Sequence, residues 1–251
     1  MKKLLISCRE LNANFGVIPN SVLHVGGHLA EEAGDYEIQN WLPVYWIEPI
    51  PTLASEMRSR LDPRNHHILE YAAWDKSIGR IKMHLASDSM ASSILSLDKK
   101  RNIYKKIAEI STLEVTAIRL DELFANAEIP DFVNLDIQGA ELKALNGMGN
   151  LIGKVKWIYC EVSMNQIYID GAKRREIDKY LASFGFKRVA TRMFMREGWG
   201  DALYARGDSR NYSLRQSINQ LQSVFLWNYR QIKYQIRLTG HNLLKRYLNK
   251  G

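Results

Sequence analysis

Apolar and polar residues recur along the chain with two different periods. Short, nearly continuous apolar runs, which are typical of buried strands, lie at residues 21–25, 43–48, 67–74, 131–137 and 156–163. Between them, apolar residues recur at helical spacing over residues 29–40, 53–61, 140–148 and 174–184. Strands that alternate with helices in this way predict a mostly parallel sheet with helices on both faces.

The last two apolar segments depart from this alternation. Residues 186–195 and 201–206 both have strand character, and the link between them is too short for a helical crossover. We therefore expect them to pair as an antiparallel hairpin, and the alternating segments 79–86 and 113–120 to form extra strands. The predicted fold is an α/β, doubly wound, Rossmann-like sheet with a terminal antiparallel hairpin. Ligands of such sheets bind beyond the carboxyl ends of the strands, near the point where the strand order reverses.

Composition and charge divide the chain into two parts. Of its 251 residues, 46% are hydrophobic, which is enough for one large domain and an appendage. The net charge of +8 lies wholly in residues 209–251, which contain eight Lys or Arg and no Asp or Glu. The other 27 basic residues balance the 27 acidic ones. We therefore place one domain at 1–208 and a tail at 209–251, and the neutral domain argues against nucleic acid as a partner.

The basic tail has the pattern of an amphipathic helix. Between Leu214 and Tyr247, apolar residues follow one another at spacings near three or four, and Arg and Lys occupy the remaining face. Three roles stay open for this tail. It packs on its own domain or on a second subunit, it lies on an anionic membrane surface, or it contacts another polyanion.

Cysteine usage and the amino terminus bear on the location of the protein. Cys8 and Cys160 are too few and too isolated for a disulfide framework, which favours a reducing, cytoplasmic setting. The amino-terminal apolar run is broken by Arg9 and Glu10, so we expect no signal peptide. No apolar window reaches about 18 residues, so we expect no membrane-spanning helix. Peripheral contact with the inner face of a membrane is the alternative that the tail leaves open.

The ends of the first two predicted strands indicate a nucleoside ligand. Gly26 and Gly27 let a ligand approach the backbone, and the helix expected after them adds N–H donors. Glu48 ends the second strand, where an acid accepts hydrogen bonds from both ribose hydroxyls. Together these residues predict an adenosine-containing cofactor, although the glycines alone also fit a plain strand-to-helix turn. The segment VGGHLA does not match GxGxxG, which disfavours a nicotinamide-dependent oxidoreductase.

Carboxylates follow the later strands. Asp75 is placed to meet an adenine amino group, and Asp136 and Glu161 are candidates for a general base. A Mg²⁺ site formed by the latter two carboxylates stays open as a secondary alternative. His24 and His28 are four residues apart, but they lie on either side of a strand–turn junction. They therefore do not share one face of a helix, as two metal-binding histidines at this spacing would. We expect the first of these histidines in the core and no metal bound by the pair.

Seven segments occur in a distinctive order between residues 20 and 206. They are VLHVGGHLAEE, VYWIEPIP, EYAAWD, SSILSL, IRLDEL, DFVNLDIQGAELKALNGM and YCEVS. In this order they resemble the FkbM family of S-adenosylmethionine-dependent methyltransferases. The resemblance implies a class I methyltransferase fold, the cofactor S-adenosyl-L-methionine and O-methylation of sugars or natural-product hydroxyls.

The resemblance also implies roles for residues on the methionine and ribose side. Gly26 and Gly27 border the methionine part of the cofactor, and Glu48 holds the ribose. Asp136 lies near the transferable methyl group. The sequence departs from the commoner pattern of the family in this region, for example by Gln138 in place of Glu. These departures concern the contacts to the methionine part more than the cofactor itself.

On the adenine side, the resemblance implies that Asp75, with Ala73 and Trp74 beside it, frames the base. Ser92 and Ser93 fall in a serine-rich stretch of the family that approaches the cofactor or the substrate. The family pattern therefore predicts a single pocket that gathers residues from five separate segments.

Methyl transfer from a sulfonium to a hydroxyl requires an aligned acceptor and the loss of a proton. We expect Asp136 or Glu161 to assist this proton loss, with His28 as a further candidate. The expected acceptor is a small molecule or glycan: a sugar, a glycolipid or polysaccharide precursor, or a natural product. The rival interpretation is a non-catalytic nucleoside-binding or scaffold protein of the same fold, whose tail recruits a partner or a membrane.

Overall fold

A seven-stranded sheet forms the centre of the molecule. The computed structural model describes residues 4–98, 107–194 and 197–207. The strands are β1 Val22–Val25, β2 Val44–Ile47, β3 His66–Leu69, β4 Ala72–Ala73, β5 Ile78–Ala86, β6 Glu109–Ile118, β7 Phe132–Leu135, β8 Trp157–Ser163, β9 Phe186–Phe194 and β10 Trp199–Arg206. The helices are α1 Cys8–Phe15, α2 Ala33–Ile38, α3 Pro51–Arg60, α4 Leu120–Leu123, α5 Glu141–Gly147 and α6 Arg174–Ser183.

The strand order of this sheet is β3-β2-β1-β7-β8-β10-β9. The first five strands in this order, from β3 to β8, run parallel to one another, and β10 runs antiparallel to both of its neighbours. The predicted doubly wound sheet with a terminal antiparallel hairpin is therefore confirmed. Because β2 and β7 flank β1 on opposite sides, the strand order reverses at β1, and the ligand-binding crevice is expected beyond its carboxyl end.

Alternate residues of β1 pack on opposite faces of the sheet. Leu23 and Val25 belong to the hydrophobic cluster that includes buried residues of α5 and α6. Val22 belongs to a second cluster that includes buried residues of α1 and α2. With both faces covered, β1 is a rigid support for the residues that follow it.

One predicted strand is wrong, because residues 67–74 do not form a single strand. A close turn, in which the Tyr71 N–H donates to the Leu69 carbonyl over 3.1 Å, ends β3 and turns the chain away from the large sheet. Ala72 and Ala73 then form β4 in a separate three-stranded sheet of order β4-β6-β5. This small sheet lies after β3 in the chain and contributes to the site described below.

Two helices begin at residues other than those predicted. The helix expected over 29–40 begins only at Ala33, because His28 and Ala30 have φ values of 44° and 55°, which a right-handed helix does not allow. The helix expected from residue 53 begins earlier, at Pro51. Proline is favourable in the first turn of a helix, because the N–H group that it lacks would have no hydrogen-bond partner within the helix there.

The amino-terminal helix α1 was not predicted from the sequence. The Ser7 side chain accepts a hydrogen bond from the Glu10 N–H and caps its start. Ahead of it, the Leu5 N–H donates to Asp201 over 2.9 Å, and the Ile6 N–H donates to the Tyr159 hydroxyl over 3.0 Å. These contacts fasten the amino-terminal segment to β8 and β10.

The basic tail at 209–251 and its boundary at residue 208 lie outside the described residues. Its three alternative roles therefore stay predictions. Among the helices that the structure describes, none combines the length and the apolar character needed to cross a membrane.

Candidate functional site

A cavity opens where the carboxyl ends of β1, β2 and β7 meet the small sheet. We call it the first cavity, and it contains about 580 Å³ of space, part of which is open to solvent. Seven residues that the sequence predicted for the site line it: Gly26, His28, Glu48, Ala73, Ser92, Ser93 and Asp136. The structure thus brings together residues from five segments at the point where the strand order reverses.

Gly26 allows β1 and β7 to approach closely at this edge. A Cβ atom here would lie 2.0 Å from the carbonyl oxygen of Asp136, and φ is +91°. The N–H groups of Gly26 and Gly27 both donate to the Ile47 carbonyl, over 2.9 and 3.0 Å. The N–H groups of the two glycines are thus used within the fold, and the helix expected directly after them begins only at Ala33. What the turn offers is a backbone without side-chain bulk.

Glu48 is buried at the end of β2, with 4% of its surface exposed. Its Oε2 accepts a hydrogen bond from the His28 N–H, and its Oε1 accepts one from the Ile50 N–H, both over 2.8 Å. Burial raises the pKa of this carboxyl to about 7, although the two N–H donors favour its ionised form. This carboxyl lies at the wall of the first cavity, and its remaining lone pairs can accept hydrogen bonds from a ligand.

His28 connects the turn after β1 to the segment after β5. Its Nδ1 lies 2.8 Å from Glu31 Oε1, and its Nε2 lies 2.9 Å from the Ser89 hydroxyl. The hydrogen bond to Glu31 raises the pKa of the imidazole, and nearby carboxylates act in the same direction. With a partner at each ring nitrogen, this histidine holds the two segments together at the rim of the first cavity.

A second cavity adjoins the first. Its empty volume is about 870 Å³, and Met90 and Gln138 line both cavities. One part of its wall is apolar and aromatic, with contributions from Leu97, Ile107, Ile167 and Trp199. The other part is polar and contains the carboxylates of Asp88 and Glu161.

The two predicted catalytic carboxylates share one neighbour and both line a further, smaller pocket, but they divide between the first and the second cavity. Asp136 lines the first cavity and Glu161 the second. The Gln138 amide nitrogen lies 2.7 Å from Asp136 Oδ1 and 3.0 Å from Glu161 Oε2. Sequence reasoning noted this glutamine only as a departure from the family pattern. The bridge depends on its left-handed backbone, with φ of 57°, for which the sequence carries no signal beyond the following Gly139.

Three predicted cofactor residues do not line the first cavity: Gly27, Trp74 and Asp75. The Asp75 carboxylate accepts a hydrogen bond from Lys143 Nζ over 2.8 Å, and the same ammonium lies 5.4 Å from the centre of the Trp74 ring. Ser92 lines the cavity, and its hydroxyl accepts a hydrogen bond from the Ala86 N–H. The predicted adenine contacts of Trp74 and Asp75 stay predictions, as do the predicted cofactor contacts of Gly27 and Ser92.

His24 lies in the core, as expected. Its ring stacks on Trp46 with 4.6 Å between centroids, and its Nδ1 lies 3.1 Å from the Tyr36 hydroxyl. Burial lowers the pKa of this imidazole to about 4, so it is neutral near pH 7. Within the described residues, no group of three or more His, Cys, Asp or Glu side chains is arranged to hold a metal ion.

Glu141, at the start of α5, organises the loop that carries Gln138. Its Oε1 accepts hydrogen bonds from the N–H groups of Ile137 and Gly139, over 3.2 and 3.0 Å. Burial raises the pKa of this carboxyl to about 7 from an ordinary value of 4.5. The residue was not predicted, because a glutamate in the first turn of an amphipathic helix is usually exposed.

This raised pKa predicts a pH-dependent effect of Glu141→Gln. The contribution of this carboxyl to stability is full below about pH 4.5 and is lost as the pH rises through about 7. Glutamine keeps the accepting oxygen without the buried charge. The free energy of unfolding of the variant, relative to that of the wild type, should therefore increase by about 2 kcal/mol from pH 5 to pH 8. Urea unfolding at both pH values measures this. An equal difference at the two pH values would contradict the assignment.

Comparison with known families agrees with the resemblance seen in the sequence. The profile of the methyltransferase FkbM domain matches residues 24–188. The 2-O-methyltransferase NoeI of Sinorhizobium fredii is 26% identical over 151 residues, which cover 56% of this chain and 62% of that protein. The chain therefore spans less than two thirds of the length of this relative.

Solved methyltransferase structures are similar at a lower level. An O-methyltransferase family protein from Burkholderia thailandensis has a TM-score of 0.45 at 10% identity, covering 75% of this chain and 51% of that chain. Human N-acetylserotonin methyltransferase in complex with S-adenosylmethionine has a TM-score of 0.44 at 10% identity, covering 79% and 51%. At TM-scores below 0.5 these similarities bear on neither the ligand nor the acceptor.

Proposed function

The chain belongs to the FkbM family of S-adenosylmethionine-dependent methyltransferases, and from this premise we propose that it methylates a hydroxyl group of a small-molecule or glycan acceptor. The acceptor class is a sugar, a glycolipid or polysaccharide precursor, or a natural product. The observation that carries the proposal is the pair of adjoining cavities, one at the carboxyl ends of the strands and one beside it, with a carboxylate in each.

The first cavity is assigned to the cofactor. S-adenosyl-L-methionine supplies an electrophilic methyl group on a positively charged sulfonium. Glu48 would hold the ribose hydroxyls, since its carboxyl lies at the end of β2 and lines the cavity. Gly26 leaves room for the methionine part, and the Asp136 carboxylate would lie on the side of the cationic sulfur. The proposal therefore assigns Glu48, Gly26 and Asp136 to one wall, which runs from β2 across β1 to β7.

The second cavity is assigned to the acceptor. Its apolar wall suits the carbon face of a ring, and its polar wall suits hydroxyl groups. The acceptor oxygen bonds to the methyl carbon as the carbon–sulfur bond breaks, and the electron pair of that bond stays on sulfur. Glu161 accepts the hydroxyl proton in this proposal, because it lines the second cavity, whereas Asp136 lines the first.

Calorimetric titration separates this function from its rivals. An enzyme of the proposed class binds S-adenosylmethionine and releases S-adenosylhomocysteine when an acceptor is present. A non-catalytic nucleoside-binding protein binds the cofactor without turnover, and an oxidoreductase binds NAD or NADP instead. Absence of binding to S-adenosylmethionine would refute the proposal.

Trp199 is expected to bind the acceptor through its ring face. It lines the second cavity and also packs on Phe194, with 4.8 Å between ring centroids. The change Trp199→Ala should raise KM for the acceptor by about tenfold, with kcat little changed, and Trp199→Phe should restore most of the affinity. Trp157→Phe, at the opposite end of the sheet, is the control. Acceptor KM values that are equal in Trp199→Ala and the wild type would place the acceptor elsewhere.

A further inference from the structure

Gln138 lies in the wall that the two cavities share, and its side-chain nitrogen lies within hydrogen-bond distance of both carboxylates of the site. The two contacts, 2.7 Å to Asp136 and 3.0 Å to Glu161, use the two hydrogens of one amide. We propose that Gln138 is a positioning residue, which fixes one carboxylate towards the cofactor and the other towards the acceptor. Only the kinetic consequence of this inference rests on the proposed methyl transfer.

The orientation of this amide is determined by the two carboxylates. The Tyr168 hydroxyl lies 3.0 Å from the amide oxygen, Oε1, and 3.1 Å from the Ala91 carbonyl, and its one hydrogen can be donated to either. A flipped amide would point its oxygen at two carboxylates, which have no hydrogen to donate when ionised. The nitrogen of Gln138 therefore faces the carboxylates, and its oxygen faces the tyrosine.

The backbone of Gln138 is also held in place. Its φ of 57° lies in the left-handed region, which is unfavourable for a residue with a side chain. The Ser93 hydroxyl donates to its carbonyl oxygen over 2.9 Å. Next to it, Glu141 accepts the N–H groups on either side, those of Ile137 and Gly139. The surrounding structure thus maintains a conformation that the residue would not adopt alone.

A neutral amide at this position has a specific chemical consequence. It supplies two N–H donors to two carboxylates without adding charge. A glutamate at the same position would instead place three carboxylates together, and such a group either shares protons or binds a divalent cation. The nitrogen of Gln138 thus lies between the two carboxylates, at the position that a bridging cation would occupy if residue 138 were a glutamate.

Calorimetric titration of the full-length protein with Mn²⁺ tests this geometry without turnover. We expect Gln138→Glu to bind Mn²⁺ at least about tenfold more tightly than the wild type. Gln39→Glu, at the end of α2, adds the same charge away from both cavities and serves as the matched control. Mn²⁺ affinity of Gln138→Glu equal to that of the wild type or the control would overturn the proposal.

Kinetics of Gln138→Met give a second test. Methionine has a similar length but no N–H donors, so kcat should fall about tenfold, as for other residues that orient a reacting group. S-adenosylmethionine should still bind, more weakly than to the wild type because Asp136 loses a partner, whereas a general loss of structure would abolish binding. Wild-type turnover in this variant would overturn the positioning role. Absence of product in the wild type would instead refute the proposed function.

Nuclear magnetic resonance provides a measurement on the wild-type residue itself. The side-chain NH₂ signals of Gln138 are assigned by their loss in Gln138→Met. We expect one of the two protons to shift most in Asp136→Asn and the other to shift most in Glu161→Gln. Signals that do not move in these variants would show that the bridge is absent, whatever the activity of the protein.

Discussion

Replacement of Glu161 by glutamine is expected to lower kcat for methyl transfer by about 100-fold or more. The change removes the carboxylate proposed to accept the hydroxyl proton, and the shape of the side chain is preserved. Because Glu161 lines the second cavity and not the first, the dissociation constant of S-adenosylmethionine should stay within about threefold. Initial rates at saturating cofactor, together with calorimetry, measure the two effects separately.

Two companion variants make this result specific. Asp136→Asn should weaken cofactor binding, since this carboxylate lines the first cavity. Glu70→Gln removes a glutamate that pairs with Arg58 near the surface and should leave both constants unchanged. If Glu161→Gln turned over at the wild-type rate while Asp136→Asn bound cofactor but did not turn over, the base would be Asp136, the other residue that the sequence proposed.

Replacement of Glu48 by glutamine is expected to weaken the binding of S-adenosylmethionine by about 100-fold. The carboxylate would accept hydrogen bonds from two ribose hydroxyls, and bonds to a charged acceptor contribute about 1.5–3 kcal/mol each. Calorimetry measures the loss, and Glu56→Gln, on the exposed side of α3, is the matched control. Unchanged affinity in Glu48→Gln would place the ribose away from β2.

The same carboxyl predicts how cofactor binding depends on pH. Because the pKa of Glu48 is raised to about 7, its ionised fraction increases from about one tenth at pH 6 to about nine tenths at pH 8. Wild-type affinity should therefore rise about tenfold over this interval. The hydrogen bond to Glu31 also raises the pKa of His28, and the loss of the positive charge of this imidazole with increasing pH acts in the same direction on a cationic ligand. Glu48→Gln should retain only the histidine contribution.

The large sheet was predictable because its strands carry a strong local signal. β1, β2, β7 and β8 are buried apolar runs, and only a parallel sheet covered on both faces accommodates several such runs. The division of 67–74 between two sheets was not predictable, since the single Glu70 does not by itself mark the end of a strand and the turn at Tyr71 depends on a backbone contact. α1 was missed for a similar reason. Its position depends on distant contacts with β8 and β10 that local spacing does not encode.

The position of the site was more predictable than its internal contacts. Strand order directs the carboxyl ends of β1, β2 and β7 to one edge, so Gly26, Glu48 and Asp136 meet there. The use of the glycine N–H groups by Ile47 and the bridging role of Gln138 depend on positive φ angles and on side chains far away in the chain. Such tertiary contacts leave little trace in a single sequence.

The most direct test of the central claim is a transfer assay with S-adenosylmethionine that carries ¹³C in its methyl group. The purified protein is incubated with a panel of methyl glycosides, sugar nucleotides, glycolipids and small alcohols, and the products are analysed by mass spectrometry. We predict that one class of hydroxyl acceptor gains the labelled methyl group, with S-adenosylhomocysteine formed in equal amount and both products lost in Glu161→Gln. Cofactor binding without labelled product on any acceptor in the panel would contradict the enzyme and favour the non-catalytic nucleoside-binding protein.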